Sequence, residues 1–102
     1  MSDSVRDARG EAFDRLLEII DRLRAPDGCP WDQKQTVGTM APHLIEESYE
    51  LLEAVESGAD ADVVEEAGDV MMVVAMICRI AEEAGRFDLG EASRAITDKL
   101  VR

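Results

Sequence analysis

The 102-residue sequence is poor in the residue types on which several classes of protein depend. Two cysteines are too few for a disulfide framework or a four-ligand zinc site, and four aromatic residues are too few for a platform that stacks single-stranded bases. The longest apolar run, from Val70 to Cys78, has nine residues, whereas a membrane-spanning helix needs about 20. The first residues contain no apolar stretch typical of a signal peptide. We therefore expect a cytoplasmic protein with reduced cysteines and no membrane span.

Basic residues are also scarce, and their distribution is informative. The chain has 11 Lys and Arg against 23 Asp and Glu, which gives a net charge of −12. Binding to nucleic acid needs patches of Lys and Arg on the protein, so we expect no nucleic-acid partner. The segment 35–78 contains ten acids and no Lys or Arg, while the rest of the chain is nearly balanced. The excess negative charge thus belongs to one part of the molecule.

The pattern of apolar residues predicts an all-α protein. Glycine and proline are sparse outside two short segments, and alternating β-branched residues are absent. We expect a single domain, in which residues 1–9 are flexible and residues 28–36 are irregular. We also expect four helices. They run from about Gly10 to Ala25, from Thr36 or Thr39 to Ser57, from Asp60 or Asp62, either of which can cap the helix, to about Ala84, and onward from Asp88. Short connections favour a four-helix bundle. The third helix is apolar on every side from 70 to 78, so we expect self-association to complete the core.

Two acidic segments on neighbouring predicted helices share one pattern. Residues 46–50 read EESYE and residues 65–69 read EEAGD. At about 100° per residue, Glu66 and Asp69 continue the apolar stripe of the third helix. On the second helix, Glu47 and Glu50 flank the apolar stripe formed by Leu44, Leu51 and Val55. Antiparallel packing of these two helices would bring the four carboxylates together.

Four carboxylates near a core repel one another and lose hydration, so they need compensation. Basic partners, shared protons or bound cations could supply it. The absence of Lys and Arg from 35–78 weakens the first possibility, and four acids are too many for a shared-proton dyad. Oxygen ligands favour Mg²⁺, Mn²⁺ or Ca²⁺ over zinc or copper. The alternative is an exposed acidic rim at the end of the core.

Four segments together resemble the MazG-type nucleotide pyrophosphohydrolases. They are GCPWDQKQT from Gly28, LIEESYELLEA from Leu44, EEAGDVMMVV from Glu65 and AEEAGRFDLGEA from Ala81. The resemblance implies an all-α fold, assembly as a homodimer or a dimer of dimers, and dependence on Mg²⁺, with Mn²⁺ as a substitute. It also implies cleavage of nucleoside triphosphates between the α and β phosphates, giving monophosphate and pyrophosphate.

The same resemblance implies roles for individual residues. The metal ligands of the family correspond to Glu47, Glu50, Glu66 and Asp69 in this sequence. We expect Glu46 or Glu47 to accept the proton of the attacking water. The basic residues that face the substrate phosphates correspond to Lys99 and Arg102, and further substrate contacts to Trp31 and Lys34.

Two other functions remain compatible with the sequence. One is a non-catalytic acidic helical dimer that binds metal or nucleotide as a sensor or adaptor. The other is an acidic interaction bundle without any site. Release of pyrophosphate from a triphosphate distinguishes the enzyme from both, and stabilisation by a divalent cation distinguishes a metal-binding protein from the last.

Overall fold

A computed structural model describes residues 1–102 as five α-helices without a strand. They are α1 (Asp3–Arg24), α2 (Pro30–Lys34), α3 (Val37–Ser57), α4 (Asp60–Glu83) and α5 (Leu89–Leu100). The all-α prediction is confirmed, but the number of helices is five instead of four. The chain forms two compact units, residues 1–34 and residues 35–102. No helix has the length and apolar character needed to cross a membrane.

The unit 1–34 differs from expectation at the start of its first helix and in the segment that follows it, whereas the end of that helix lies where the sequence predicts. Helix α1 begins at Asp3 and not near Gly10, because the side chain of Ser2 caps it by accepting a hydrogen bond from the backbone N–H of Val5. The segment expected to be irregular contains the short helix α2. Its first residue is Pro30, which cannot continue a helix but is well suited to begin one.

In the unit 35–102, helices α3 and α4 form an antiparallel hairpin. Thr36 caps α3, and Gly58 ends it in the left-handed conformation with φ of 82°. Helix α4 has Ala59 as its cap residue, so the expectation that Asp60 or Asp62 caps it is wrong. Both aspartates lie instead in the first turn, where negative charge is favourable at a helix N-terminus. Helix α5 is capped by Asp88, as the sequence predicts.

The buried core of this hairpin lies between α3 and α4. Helix α4 contributes Val73 and Met76 to it, together with small residues, and α3 contributes Met40 and Ala54. On α3 this differs from the sequence-based expectation, since Val55 of the apolar stripe is 56% exposed. The side of α3 that packs on α4 is the line of Met40 and Ala54, which is also the line of Glu47.

Large apolar side chains remain exposed on the outer sides of both helices. They are Ile45, Tyr49, Leu52 and Val55 on α3, and Val64, Met71 and Val74 on α4. Exposed apolar surface of this extent is typical of interaction sites. It is compatible with the expected self-association, which stays a prediction.

Candidate metal centre

The α3–α4 hairpin places the two acidic pairs at the same level. One carboxylate oxygen from each of Glu47, Glu50, Glu66 and Asp69 lies within 4.8 Å of the others. We call these four residues the carboxylate cluster. Each pair is spaced i, i+3, so its two side chains share one face of its helix. The antiparallel pairing of the helices then turns the two pairs toward each other.

The cluster continues the buried side of the hairpin, and of its four members Glu50 alone is exposed. Glu66 and Asp69 are half-buried and precede the buried Val73 by about two turns and about one turn of α4, respectively. Glu47 is half-buried between Met40 and Ala54 on α3, and Glu50 is exposed at the edge. Three of the four carboxylates have therefore lost part of their hydration.

The lost hydration and the mutual repulsion both favour the protonated form of these acids. Burial, together with the neighbouring carboxylates of Glu50, Asp69 and Glu65, raises the pKa of Glu66 to about 7. Burial also raises the pKa of Glu47, with further contributions from Glu50, Asp69 and Glu46. The segment 35–78 contains no Lys or Arg that could neutralise the cluster. Within this segment, the negative charge of the cluster can therefore be neutralised by bound protons or by a bound cation.

Two oxygens of the cluster are better matched by a cation than by protons. Oε2 of Glu47 and Oε2 of Glu66 are buried and have no hydrogen-bond partner. A buried polar atom without a partner is costly, and buried polar groups in proteins are nearly always paired. A divalent cation that accepts all four carboxylates as ligands would satisfy both atoms and remove the repulsion. The all-oxygen donor set fits Mg²⁺ or Mn²⁺.

The other predicted site residues lie outside the cluster. Glu46 is exposed beside it on α3, and its Oε2 lies 3.7 Å from Nδ1 of His43. Lys99 is in the last turn of α5 and Arg102 follows that helix, both exposed. Trp31 and Lys34 lie on α2, in the other unit. The structure brings together the four predicted metal ligands, and the roles of these other residues stay predictions.

The structure also places beside the cluster residues that the sequence analysis did not assign to a site. Glu53, Ser57 and Asp62 line an open cleft of about 440 Å³ beside the cluster, together with Glu50 and Glu66. Glu53 follows Glu50 by one turn, and Asp62 precedes Glu66 by one turn. In the sequence, these acids continue the spacing of three or four residues that relates the members of the cluster, and this spacing could have indicated them. Only the packing of α3 against α4 shows that they face one cleft.

Comparisons with known proteins agree on one family. The model of the MazG nucleotide pyrophosphohydrolase domain matches residues 35–102. The chain is 43% identical over 93 residues to the nucleoside triphosphate pyrophosphohydrolase/pyrophosphatase MazG of Thermotoga maritima. It is 47% identical over 91 residues to the nucleoside triphosphate pyrophosphohydrolase of Escherichia coli K12. These alignments cover 91% and 88% of this chain but only 36% and 35% of the relatives, so the chain spans about a third of their length.

A solved structure gives the same result. The crystal structure of a mazG-related protein from Thermotoga maritima aligns with a TM-score of 0.73 and 35% sequence identity. The alignment covers 85% of this chain and 75% of that chain.

Proposed function

Because the chain belongs to the MazG nucleotide pyrophosphohydrolase family, we propose that it hydrolyses nucleoside triphosphates between the α and β phosphates, to a monophosphate and pyrophosphate. The observation that carries this proposal is the carboxylate cluster, with two buried oxygens that have no hydrogen-bond partner. Ribo- and deoxyribonucleotides are both candidate substrates. A role in removing unwanted nucleotides from the cytoplasmic pool is compatible with this reaction.

The cluster would hold Mg²⁺, or Mn²⁺ in its place. When bound, the cation supplies neutralisation of phosphate charge and orientation of the reacting groups. Glu47, Glu50, Glu66 and Asp69 would hold it from two helices, so the spacing of the ligands depends on the packing of the α3–α4 hairpin. Without a cation, the same carboxylates would repel a triphosphate.

The remaining site residues act on the water and the substrate. Glu46 or Glu47 would accept a proton from the attacking water; for Glu46 this is supported by its place next to Glu47 on α3, outside the carboxylate cluster. Lys34, Lys99 and Arg102 would bind the departing pyrophosphate. Trp31, which is half exposed on α2, would contact the nucleoside.

We also propose that the protein acts as a homodimer or a dimer of dimers. The exposed apolar residues on the outer sides of α3 and α4 support this assembly. Burying such side chains between copies would stabilise the complex by the hydrophobic effect.

The test is an assay of pyrophosphate release from a panel of triphosphates in the presence of Mg²⁺. Glu50→Gln and Asp69→Asn remove one ligand charge each, and we expect both to abolish release while the helical circular dichroism spectrum is unchanged. Glu56→Gln is the matched control, because Glu56 is an exposed acid on α3 outside the cluster.

Three results would contradict the proposal. Retained activity in both variants would remove the cluster from the mechanism. Release of orthophosphate alone would place cleavage at the terminal phosphate. Stabilisation by metal without any product would favour the non-catalytic sensor or adaptor.

A further inference from the structure

Helix α2 is too short to be stable by its own hydrogen bonds. It has five residues, whereas isolated helices shorter than about 12 residues are marginal in water. None of its residues is buried. It nevertheless carries Trp31 and Lys34, the two substrate contacts proposed above. The orientation of these two side chains therefore depends on the contacts that attach α2 to α1 within the unit 1–34.

Two side chains join the ends of α1 and α2, one from each helix. The guanidinium of Arg24, the last residue of α1, donates from Nη1 to the backbone oxygen of Asp32 over 2.6 Å. The side-chain amide of Gln33 donates from Nε2 to the backbone oxygen of Ala25, the C-cap of α1, over 2.5 Å. Carbonyls at the end of a helix lack partners within that helix, so each helix supplies a donor to the end of the other. We call this reciprocal pair of part-buried hydrogen bonds the α1–α2 clasp.

The backbone of the connecting turn is held just as closely. The N–H of Cys29 donates to the oxygen of Leu23 over 2.9 Å, and the N–H of Gly28 donates to the oxygen of Ala25 over 2.8 Å. A Cβ on Gly28 would collide with the backbone oxygens of Arg22 and Leu23, so the turn lies directly against α1. The backbone thus fixes the point at which α2 begins, and the clasp fixes its far end. Two fixed ends determine the direction of a short helix.

The clasp holds the middle of the segment that bears the proposed substrate contacts. We propose that Arg24 and Gln33 are positioning residues, which hold α2 in the orientation that directs Trp31 and Lys34 at the nucleotide. The roles of Trp31 and Lys34 rest on the proposed function, whereas the ordering of α2 by the clasp does not. A misdirected α2 would weaken contacts made equally to bound substrate and to the transition state, which raises KM and leaves kcat unchanged.

The fluorescence of Trp31 tests the ordering of α2 without reference to activity, because Trp31 is the single tryptophan of the chain. Arg24→Gln and Gln33→Ala each remove one hydrogen bond of the clasp. Both should lower the fluorescence anisotropy of Trp31 and raise its quenching by acrylamide. Arg22→Gln is the matched control, because Arg22 is an exposed arginine in the last turn of α1 whose side chain does not belong to the clasp. Wild-type anisotropy and quenching in both clasp variants would overturn the inference.

Steady-state kinetics with a triphosphate and Mg²⁺ test the positioning role. The loss of one part-buried hydrogen bond should raise KM roughly three- to tenfold in each clasp variant, with kcat and the affinity for Mn²⁺ unchanged. Arg24→Lys retains a charged donor and should recover part of the lost affinity for substrate, and Arg22→Gln should behave as the wild type.

Two kinetic results would overturn the positioning role. One is a wild-type KM in both clasp variants, and the other is a fall in kcat or in Mn²⁺ affinity as large as the change in KM, which indicates general structural damage. An inactive wild type would defeat the proposed function instead, and the fluorescence of Trp31 would still decide whether the clasp orders α2.

Discussion

Lowering the pH is expected to weaken metal binding at the carboxylate cluster far more steeply than it would at ordinary glutamates. A carboxylate must lose its proton to bind a cation, so protons and metal compete. The pKa of Glu66 is raised to about 7 from 4.5 by burial and by the carboxylates around it. The ionised fraction then falls from about nine-tenths at pH 8 to about one-hundredth at pH 5, which corresponds to about a ninetyfold loss of affinity. For a glutamate of ordinary pKa, the ionised fraction would fall by only about a quarter between pH 8 and pH 5.

Calorimetric titration with Mn²⁺ or Mg²⁺ from pH 5 to pH 8 measures this effect. Near pH 7, metal binding should displace about half a proton from Glu66, which appears as a dependence of the measured enthalpy on the ionisation enthalpy of the buffer. The pKa of Glu47 is also raised, so its contribution has the same sign. In the Glu66→Gln variant the affinity should be lower at pH 8 and vary less with pH. A wild-type affinity that changes less than about threefold between pH 8 and pH 5 would refute the reasoning.

The remaining predictions concern stability. Because the pKa of Glu66 is raised in the folded state, its contribution to stability is present below pH 4.5 and lost as the pH rises through about 7. The Tm of the metal-free chain should therefore fall over this range, and saturating Mn²⁺ should raise it at pH 8. Met76→Ala removes a fully buried side chain and should cost about 2–5 kcal/mol in urea unfolding, whereas Met71→Ala, at an exposed position, should cost under about 1 kcal/mol. Gly28→Ala should destabilise the unit 1–34 by about 1–3 kcal/mol, because the added Cβ would collide with backbone carbonyls of α1. In Gly10→Ala the added Cβ meets no other atom, so this variant should stabilise α1 by about 1 kcal/mol. Equal unfolding midpoints for the two methionine variants would contradict the burial of Met76, and equal midpoints for the two glycine variants would contradict the close approach of Gly28 to α1.

Helix ends could be predicted wherever a local signal decided them. Thr36, Gly58 and Asp88 act through hydrogen bonds or backbone angles within a few residues, so their roles are visible in the sequence. The start of α1 lies at Asp3, ahead of the predicted Gly10, because the side chain of Ser2 caps the helix. Helix α2 was missed because Pro30 both stops one helix and begins another, and the sequence alone does not choose between these effects.

The buried side of α3 depended on its partner helix. Its apolar pattern favours the stripe of Leu44, Leu51 and Val55, but α4 packs on the line of Met40 and Ala54. The sequence by itself determined the helical class, the caps at Thr36, Gly58 and Asp88, and the repeated spacing of the acids, because each depends on neighbours along the chain. Only the tertiary structure decided that the two acidic pairs meet within 4.8 Å, and that one side of α3 stays uncovered. Both depend on how two helices pack against each other, and that packing is a property of the pair.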